Sequence, residues 1–480
     1  MIRYHAYNSW VFLRALSLVY LVAFLSLAFQ AKGLWSAEGI LPIAEFLKPY
    51  IEGYGLQSAT VVPSLFLLDA SDTMIVACAW AGVAASVFAL IGLFQGWMFL
   101  ACFALYLSFT TAGQDFMSFQ WDSLLVEVGF LALFAAPWRA AWAPVLAYEP
   151  PKYLRWAMYS VLFKLMFLSG VVKLTSGDES WRDFTALTYH YYTQPIPNPI
   201  AFIMHALPLW FHAFCTAVTL AVELVLPFCL WFPRTRTIAG VGFLLLSFMI
   251  LTSGNYAFFN WLTIALCLWA LPLDWIFERK LHFVRKKVLE DDTPLDLALR
   301  LLFVPLMTVS FYWCVRWTLP AVVDAQLFDY ARWPAIWRIN TPYGLFANMT
   351  KARPEIVIEG TTDGIEWRPY EFRYKPGDTG RMPPLVAPHQ PRLDWQMWFA
   401  ALGRYEQSPW LEKTMKRLLE GSTPVLALFG NDPFDGMKPV KVRAMLYMYE
   451  FSTPAELSST GQWWHRTLRG NFSPEIKAAN

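Results

Sequence analysis

The sequence predicts a polytopic all-α membrane domain of about nine spans at residues 1–320, followed by a small β-rich α+β extracytoplasmic domain at 321–480. The composition excludes an ordinary soluble protein, because 56% of the residues are hydrophobic and only 15% are charged. Soluble domains carry about 25% charged residues. Long apolar segments fill the first part of the chain, and charged residues, prolines and alternating strand patterns replace them after the last segment.

A helix needs ~20 predominantly apolar residues to cross a bilayer, and segments of about this length recur along the first part of the chain. The predicted spans lie near 11–31, 74–94, 97–113, 119–137, 153–174, 207–232, 237–253, 255–273 and 297–319. The third and fourth are the least distinct, because they run together around Gly113 and Asp115. The stretches 40–50 and 58–69 are apolar but short and contain prolines, which indicates interfacial or re-entrant segments. The count falls below nine if some segments are re-entrant.

The distribution of Lys and Arg among the short loops orients the chain. With the N-terminus in the cytoplasm, the cytoplasmic loops hold Arg139, Lys152, Arg155, Arg234, Arg236, Arg279, Lys280, Arg285, Lys286 and Lys287. The short loops on the opposite side hold only Lys32, Lys48, Lys173 and Arg182. An odd number of spans then places residues 321–480 outside the cytoplasm, in the periplasm or, in a eukaryote, in the lumen of the endoplasmic reticulum.

The net charge and the cysteine positions limit the classes of partner and cofactor that the sequence predicts. A net charge of +2 gives no electrostatic footprint for nucleic acid. The six cysteines all fall in predicted spans and show no metal-binding spacing. We therefore predict neither a metal nor a cofactor, and the first expected partner is the lipid bilayer.

The extracytoplasmic domain is predicted from strand and helix periodicity. Residues 355–359 alternate in polarity, a turn signal follows at 362–364, and 367–374 form a second strand, which together indicate a hairpin. An alternation over 440–450 predicts a half-buried strand. Between these strands, the segments 392–402 and 410–419 have the periodicity of amphipathic helices, so we expect a sheet with a helical insertion.

Charged residues inside the predicted spans are costly, at about 3 kcal/mol each, and usually mark a pair, a pathway or a site. These residues are Asp122, Glu127, Lys164, Lys173 and Glu223. One interpretation is a structural ion pair between helices, such as Lys164 with Glu223 or with Glu127. The other is a functional cavity lined by the same residues. Lys164 and Lys173 are nine residues apart, which sets them on opposite faces of an unbroken helix.

The external loop 173–206 concentrates polar and aromatic groups. Its candidate functional residues are Lys173, Asp178, Trp181, Arg182, Asp183, Tyr189 and His190. The alternative is that its Tyr and Trp side chains form an aromatic belt at the membrane interface. Lys173 and His190 are candidates for a general base. No nucleophile motif accompanies them, so no catalytic residue is firmly predicted.

Several sequence blocks resemble the lipase maturation factor family and follow one another in the family's order. They include 120–131, 164–178, 181–199, 252–260, 343–346, 353–367 and 389–399. The resemblance implies a membrane-bound factor that helps secreted lipases or other exported hydrolases to fold or assemble, rather than an enzyme. It also implies that such a client meets the extracytoplasmic domain, and the aromatic and polar composition of the 173–199 loop makes that loop the second expected contact surface.

Within the 389–399 block, His389, Arg392, Asp394 and Trp395 are the predicted client-contact residues. Two other interpretations stay open. The aromatic side chains have the spacing of a buried helix face. The polar ones suit a hydrogen-bonded structural network, with Asp394 capping the helix that follows.

A shorter resemblance concerns residues 169–181, which are similar to the membrane region of vitamin K-dependent γ-carboxylases. It implies an alternative function, a membrane enzyme with Lys173 as general base in an intramembrane cavity bounded by Asp122, Glu127 and His190. A transporter is a third possibility, and the absence of a visible inverted repeat disfavours it.

Overall fold

The structure is a computed structural model that describes residues 6–138, 141–142, 146–274, 285–287, 294–318 and 334–477. The predicted domain boundary at 320/321 and the predicted cytoplasmic residues Arg139, Arg279 and Lys280 lie outside these ranges. The helices of the first part are α1 (Ala6–Trp35), α2 (Ile43–Tyr54), α3 (Ser58–Val61), α4 (Asp72–Ile91), α5 (Gln95–Ala112), α6 (Gln120–Ala135), α7 (Lys152–Thr175), α8 (Glu179–Arg182), α9 (Ala186–Thr193), α10 (Pro199–His205), α11 (Leu209–Leu224), α12 (Leu226–Cys229), α13 (Arg236–Ser253), α14 (Phe259–Cys267) and α15 (Pro294–Thr318).

Each of the predicted spans contains at least one of these helices, and 207–232 contains both α11 and α12. In the described part of the chain, five helical segments are long and apolar enough to cross a membrane: Ala6–Trp35, Asp72–Ile91, Lys152–Thr175, Leu209–Cys229 and Arg236–Ser253. Helix α6 has 16 residues and α14 only 9. The structure therefore supports a multi-pass domain, and the number nine stays a prediction.

Local sequence signals set the helix limits. Helix α4 begins after Ser71, whose Oγ accepts a hydrogen bond from the Met74 amide at 3.3 Å. It ends at Gly92, which has a φ of 82° and so takes the left-handed conformation that glycine favours. The proline-containing stretch near 40–50 forms α2, which buries Ile43 and Leu47 and exposes most of its other side chains. That pattern agrees with an interfacial helix.

The second part of the chain is built on an antiparallel sheet. Its strands are β3 (Arg353–Thr361), β4 (Arg368–Tyr370), β5 (Lys441–Phe451), β6 (Trp464–Asn471) and β7 (Ile476–Lys477), in the order β4-β3-β5-β6 with β7 also paired to β5. The helices here are α16 (Arg392–Ala401), α17 (Pro409–Glu420), α18 (Thr423–Leu426) and α19 (Pro454–Thr460). The predicted hairpin, long strand and two helices are thus present, although the second hairpin strand covers only part of 367–374. A short parallel pair, β1 (Leu146–Tyr148) with β2 (Arg285–Lys287), lies between membrane helices in the sequence.

The C-terminal domain lies on one side of the helical bundle. It contacts the C-terminal ends of α1, α5 and α13 and the segment that follows α7, all of which the predicted alternation places on the same side. Hydrogen bonds join Gln30 to the Gln390 carbonyl (2.8 Å), Ser118 to Gln396 (3.2 Å), the Thr193 carbonyl to Trp398 (2.8 Å) and Asn255 to the Pro384 carbonyl (2.8 Å). The pairing of β1 with β2 and of Leu93 with Trp142 occurs between the opposite ends.

A buried ion pair connects the two domains. Arg392, in the first turn of α16, places both guanidinium nitrogens 2.9 Å from the two carboxylate oxygens of Asp122 in α6. Neither side chain is exposed to solvent. Arg392 also donates to the Phe116 carbonyl at 2.6 Å, and the Tyr106 hydroxyl donates to Asp122 at 2.5 Å. Bidentate geometry with further hydrogen bonds is what a buried pair needs to offset its desolvation.

Backbone amides of the C-terminal domain also form hydrogen bonds with α1 beside this pair. The amides of Gln390 and Arg392 donate to Ser26 Oγ (3.0 Å) and Gln30 Oε1 (2.8 Å) on α1. At Gly33 of α1, a Cβ atom would lie 2.4 Å from the Pro424 carbonyl oxygen. Glycine is therefore required where α1 meets the C-terminal domain.

We predict that Asp122→Asn destabilises the whole chain, because it leaves the Arg392 charge buried without its partner. Losing one member of a buried pair costs about 3–5 kcal/mol, and this should appear as a lower free energy of unfolding of the full chain in detergent. Glu412→Gln is the matched control, because Glu412 forms an exposed pair with Lys416 worth at most about 1 kcal/mol. Equal effects of the two substitutions would contradict the importance of the interdomain pair.

We also predict that the folded chain becomes less stable as the pH is lowered, because His389 resists protonation in the folded state. Its imidazole contacts Ser26 Oγ at 2.8 Å. Burial, and then the charge of Arg392, lower the pKa of His389 from 6.5 to about 4. The unfolded chain therefore binds more protons between these values, so stability is lost as pH falls below 6.5. At pH 5 the loss is about 2 kcal/mol. Thermal unfolding at pH 7.5 and pH 5 measures it, and His389→Gln should remove this share; an unchanged pH dependence in the variant would refute it.

Candidate functional site

The charged residues of the membrane helices form separate networks. Lys164 of α7 lies 2.8 Å from Glu127 of α6, and both side chains are buried. The Lys164 ammonium also donates to Asn340 at 2.6 Å, and the Tyr343 hydroxyl donates to the other oxygen of Glu127. This is one of the two ion pairs that the sequence offered for Lys164. The segment that precedes the sheet supplies the remaining partners, so it is fixed among the membrane helices.

Lys173 has a different partner, on the other face of α7. Its ammonium lies 2.8 Å from Glu223 of α11. It also donates to the carbonyls of Ser169 (3.2 Å) and Leu345 (3.0 Å). With the Glu223 hydrogen bond, these contacts use all three donors of the ammonium group. Lys173 is therefore a neutralised structural group in this structure, and its charge also faces the Trp181 ring at 5.1 Å.

A cleft of about 420 Å³ lies against this second pair, between α9, α11 and α13. Its polar wall includes Lys173, Glu223, His190 and Tyr191. The other lining residues are mostly apolar side chains of α11 and α13. The predicted cavity thus gathers Lys173 and His190. Asp122 and Glu127 do not line it, because Arg392 and Lys164 hold them in the two other networks.

His190 is half-buried and lines the cleft. Its Nε2 lies 3.0 Å from the hydroxyl of Tyr256. Burial, and then the nearby Lys173 charge, lower the pKa of His190 to about 4. The imidazole is therefore neutral at pH 7, and it adds no charge to the cleft.

The remaining candidates in the 173–199 segment have structural contacts. Asp178 accepts hydrogen bonds from the Ser180 amide (2.9 Å) and the Met349 amide (2.5 Å). Burial raises the pKa of Asp178, but these hydrogen bonds outweigh it and leave the pKa lowered. Arg182 donates to the Leu174 carbonyl at 2.8 Å.

Three further residues complete this segment. Asp183 accepts from the Thr185 hydroxyl at 2.6 Å and stays on the surface. Trp181 is buried and donates to the Phe346 carbonyl at 3.1 Å, while Tyr189 packs beside it in a small apolar cluster. The segment therefore lies mainly beneath the C-terminal domain, which covers part of the surface that a client was expected to meet.

The four predicted client-contact residues face inward. Arg392, Asp394 and Trp395 are buried, and His389 is half-buried against α1. Asp394 does not cap its own helix, contrary to the prediction. It accepts instead from the amides of Tyr374 (2.8 Å) and Lys375 (2.9 Å). Burial raises the pKa of Asp394, and those two hydrogen bonds oppose the shift. The geometry agrees with the hydrogen-bonded structural network that the sequence left open.

Two interface residues escaped the sequence analysis. Arg353 is buried, pairs with Glu355 at 2.7 Å and donates to the Tyr192 carbonyl at 2.8 Å. Asn255 accepts from the Val386 amide at 2.8 Å and donates to the Ile196 carbonyl at 3.2 Å. Both residues lie in blocks that carry the family resemblance, and that resemblance is the sequence signal that could have identified them. Across the described residues, no group of three or more His, Cys, Asp or Glu side chains is placed to hold a metal ion.

Comparisons with known proteins match nearly the whole chain. The family model described as the lipase maturation factor transmembrane domain matches residues 7–276, and that of the lipase maturation factor C-terminal domain matches 339–474. Mouse lipase maturation factor 1 is 36% identical over 99% of this chain and 88% of its own length.

Chicken lipase maturation factor 2 is 34% identical over 98% of this chain and 81% of its own length. Human lipase maturation factor 2 is 34% identical over 97% of this chain and 82% of its own length. No solved structure matches the chain. With both family models matched in order across a multi-pass helical domain and an antiparallel sheet domain, the chain belongs to the lipase maturation factor family.

Proposed function

We propose that this chain is a membrane-bound maturation factor for secreted lipases or other exported hydrolases, and not an enzyme. The observation that carries the proposal is the fixed docking of a sheet domain onto one side of the membrane helices. A client that is folding next to the membrane would meet a rigid surface there. The relatives' names, lipase maturation factors 1 and 2, supply the client class.

We further propose that the N-terminus is cytoplasmic and that the C-terminal domain is periplasmic, or lumenal in an endoplasmic reticulum. The loop charges support this orientation. It also agrees with the contacts of the C-terminal domain, which gather helix ends that lie on one side if all nine predicted segments cross the bilayer.

We propose the free edge of β6 as the client-contact surface. Strand β6 pairs with β5 on one side, and no further strand pairs with it in the described part of the chain. Side chains 465–469 are all exposed. An extended client segment can add to such an edge through main-chain hydrogen bonds. Arg466 and Arg469 give the edge a positive charge, which favours an acidic or uncharged segment.

We predict that Arg469→Glu combined with Leu468→Asp weakens client capture at least tenfold, because it reverses the edge charge and removes an apolar contact. A loss of this size is about what the truncation of one or two important interface residues costs in binding. Client capture is measured by the yield of crosslinked client from a photo-crosslinker at position 467 and by the yield of active secreted lipase. Ile365→Asp is the matched control, because Ile365 is 84% exposed in the β3–β4 turn. Unchanged capture by a folded edge variant would rule out this surface.

The carboxylase-like alternative requires Lys173 as a base, and the geometry allows a clean test. Lys173→Met alone leaves Glu223 buried and unpaired, which costs about 3–5 kcal/mol. Replacing both residues with Met removes both charges, so we predict that the double variant recovers most of the lost stability.

We also predict that the double variant keeps client maturation per folded molecule. Thermal unfolding and secreted lipase activity measure the two effects in the same preparations. A stable double variant that has lost all activity would instead favour the catalytic interpretation of Lys173.

A further inference from the structure

The cleft beside Lys173 and Glu223 has a feature that the maturation role does not use. It opens between α11 and α13, on the outer side of the helical bundle. At its mouth lie Phe214 and Val218 of α11 and Leu245 and Met249 of α13. These side chains are large, apolar and between 41% and 62% exposed. Both helices are among the segments able to cross a membrane. An opening lined by apolar residues of two such helices faces the acyl chains of the bilayer.

The inner wall of the cleft is polar but carries no net charge. Lys173 and Glu223 neutralise each other at 2.8 Å, and the Lys173 donors are already engaged by Glu223 and two carbonyls. His190 is neutral at pH 7, as its lowered pKa of about 4 implies. A ligand with a charged headgroup would lose its hydration here and gain no counter-ion. The cleft therefore favours an uncharged headgroup.

One polar group in this wall is left without a partner. Tyr191 lines the cleft and is only 5% exposed, yet its hydroxyl makes no hydrogen bond with any of the described residues. The hydroxyl oxygen is not among the fully enclosed polar atoms, so it opens onto the cleft, where an acceptor supplied by a ligand would satisfy it. The volume of about 420 Å³ lies within the ~300–1,000 Å³ of typical ligand pockets.

We propose that this cleft binds a neutral acyl lipid of the diacylglycerol type. One acyl chain lies between α11 and α13, and an ester carbonyl accepts a hydrogen bond from Tyr191. The lipid enters from the bilayer through the gap between Val218 and Leu245. This site is separate from the β6 edge, so its occupancy is measured without any client.

The test uses the full chain in phosphatidylcholine vesicles that contain a diacylglycerol with a photoreactive diazirine in one acyl chain. Fatty-acid and phosphatidylserine probes with the same diazirine serve as charged comparators. We expect the diacylglycerol probe to label the segments 209–224 and 236–253, and unlabelled diacylglycerol to compete. Equal labelling by all three probes without competition would show only bulk lipid and would overturn the proposal. Selective labelling by a charged probe would overturn the neutral assignment.

Two variants sharpen the result. Leu245→Trp should block the mouth and remove most of the labelling. Ile238→Trp is its matched control, because Ile238 lies two turns away on the same helix, is similarly exposed at 60% and does not line the cleft. Tyr191→Phe removes only the hydroxyl, so it should weaken apparent affinity about fivefold, the value of one neutral hydrogen bond. Undiminished labelling in folded Leu245→Trp would refute the site.

Discussion

The bidentate pair between Asp122 and Arg392 is the interaction on which the arrangement of the two domains depends. Both charges are fully buried, one on a membrane helix and the other on the first turn of the helical insertion in the sheet domain. A charge buried without its partner costs several kcal/mol. Separating the two domains would therefore either expose these charges to solvent or leave one of them buried without its partner. For the same reason, deleting the C-terminal domain leaves Asp122 unpaired, so it is a poor test of what that domain does.

The other two membrane ion pairs extend the same constraint toward the sheet. Lys164 and Glu127 bind Asn340 and Tyr343, while Lys173 binds the Leu345 carbonyl. The segment that precedes the sheet is thus held among the helices before β3 begins. A sheet fixed in this way holds the β6 edge, the proposed client surface, in one orientation relative to the membrane helices. For a factor that helps its client to fold, such preorganisation lowers the cost of each capture.

Periodicity and composition were enough to predict the helices, the β3–β4 hairpin, the long strand β5 and the helical insertion. The intramembrane charges also predicted pairing, and Lys164 with Glu127 was one of the pairs offered. Sequence could not predict that Arg392 reaches Asp122, because the two residues are 270 positions apart. For the polar residues at 389–394 the sequence left client contact and a structural network open, and the structure buries Arg392 and Asp394 and half-buries His389. Burial by a distant part of the chain leaves no local periodic signal.

The central claim is that the C-terminal domain is docked on the membrane helices as one unit. Hydrogen exchange of the Gln390 and Arg392 amides in lipid nanodiscs tests it most directly, because both amides donate to side chains of α1. If the domains are docked, these amides should exchange as slowly as those in the buried middle of α7. Exchange at the rate of an exposed loop, with the sheet itself still protected, would contradict the account.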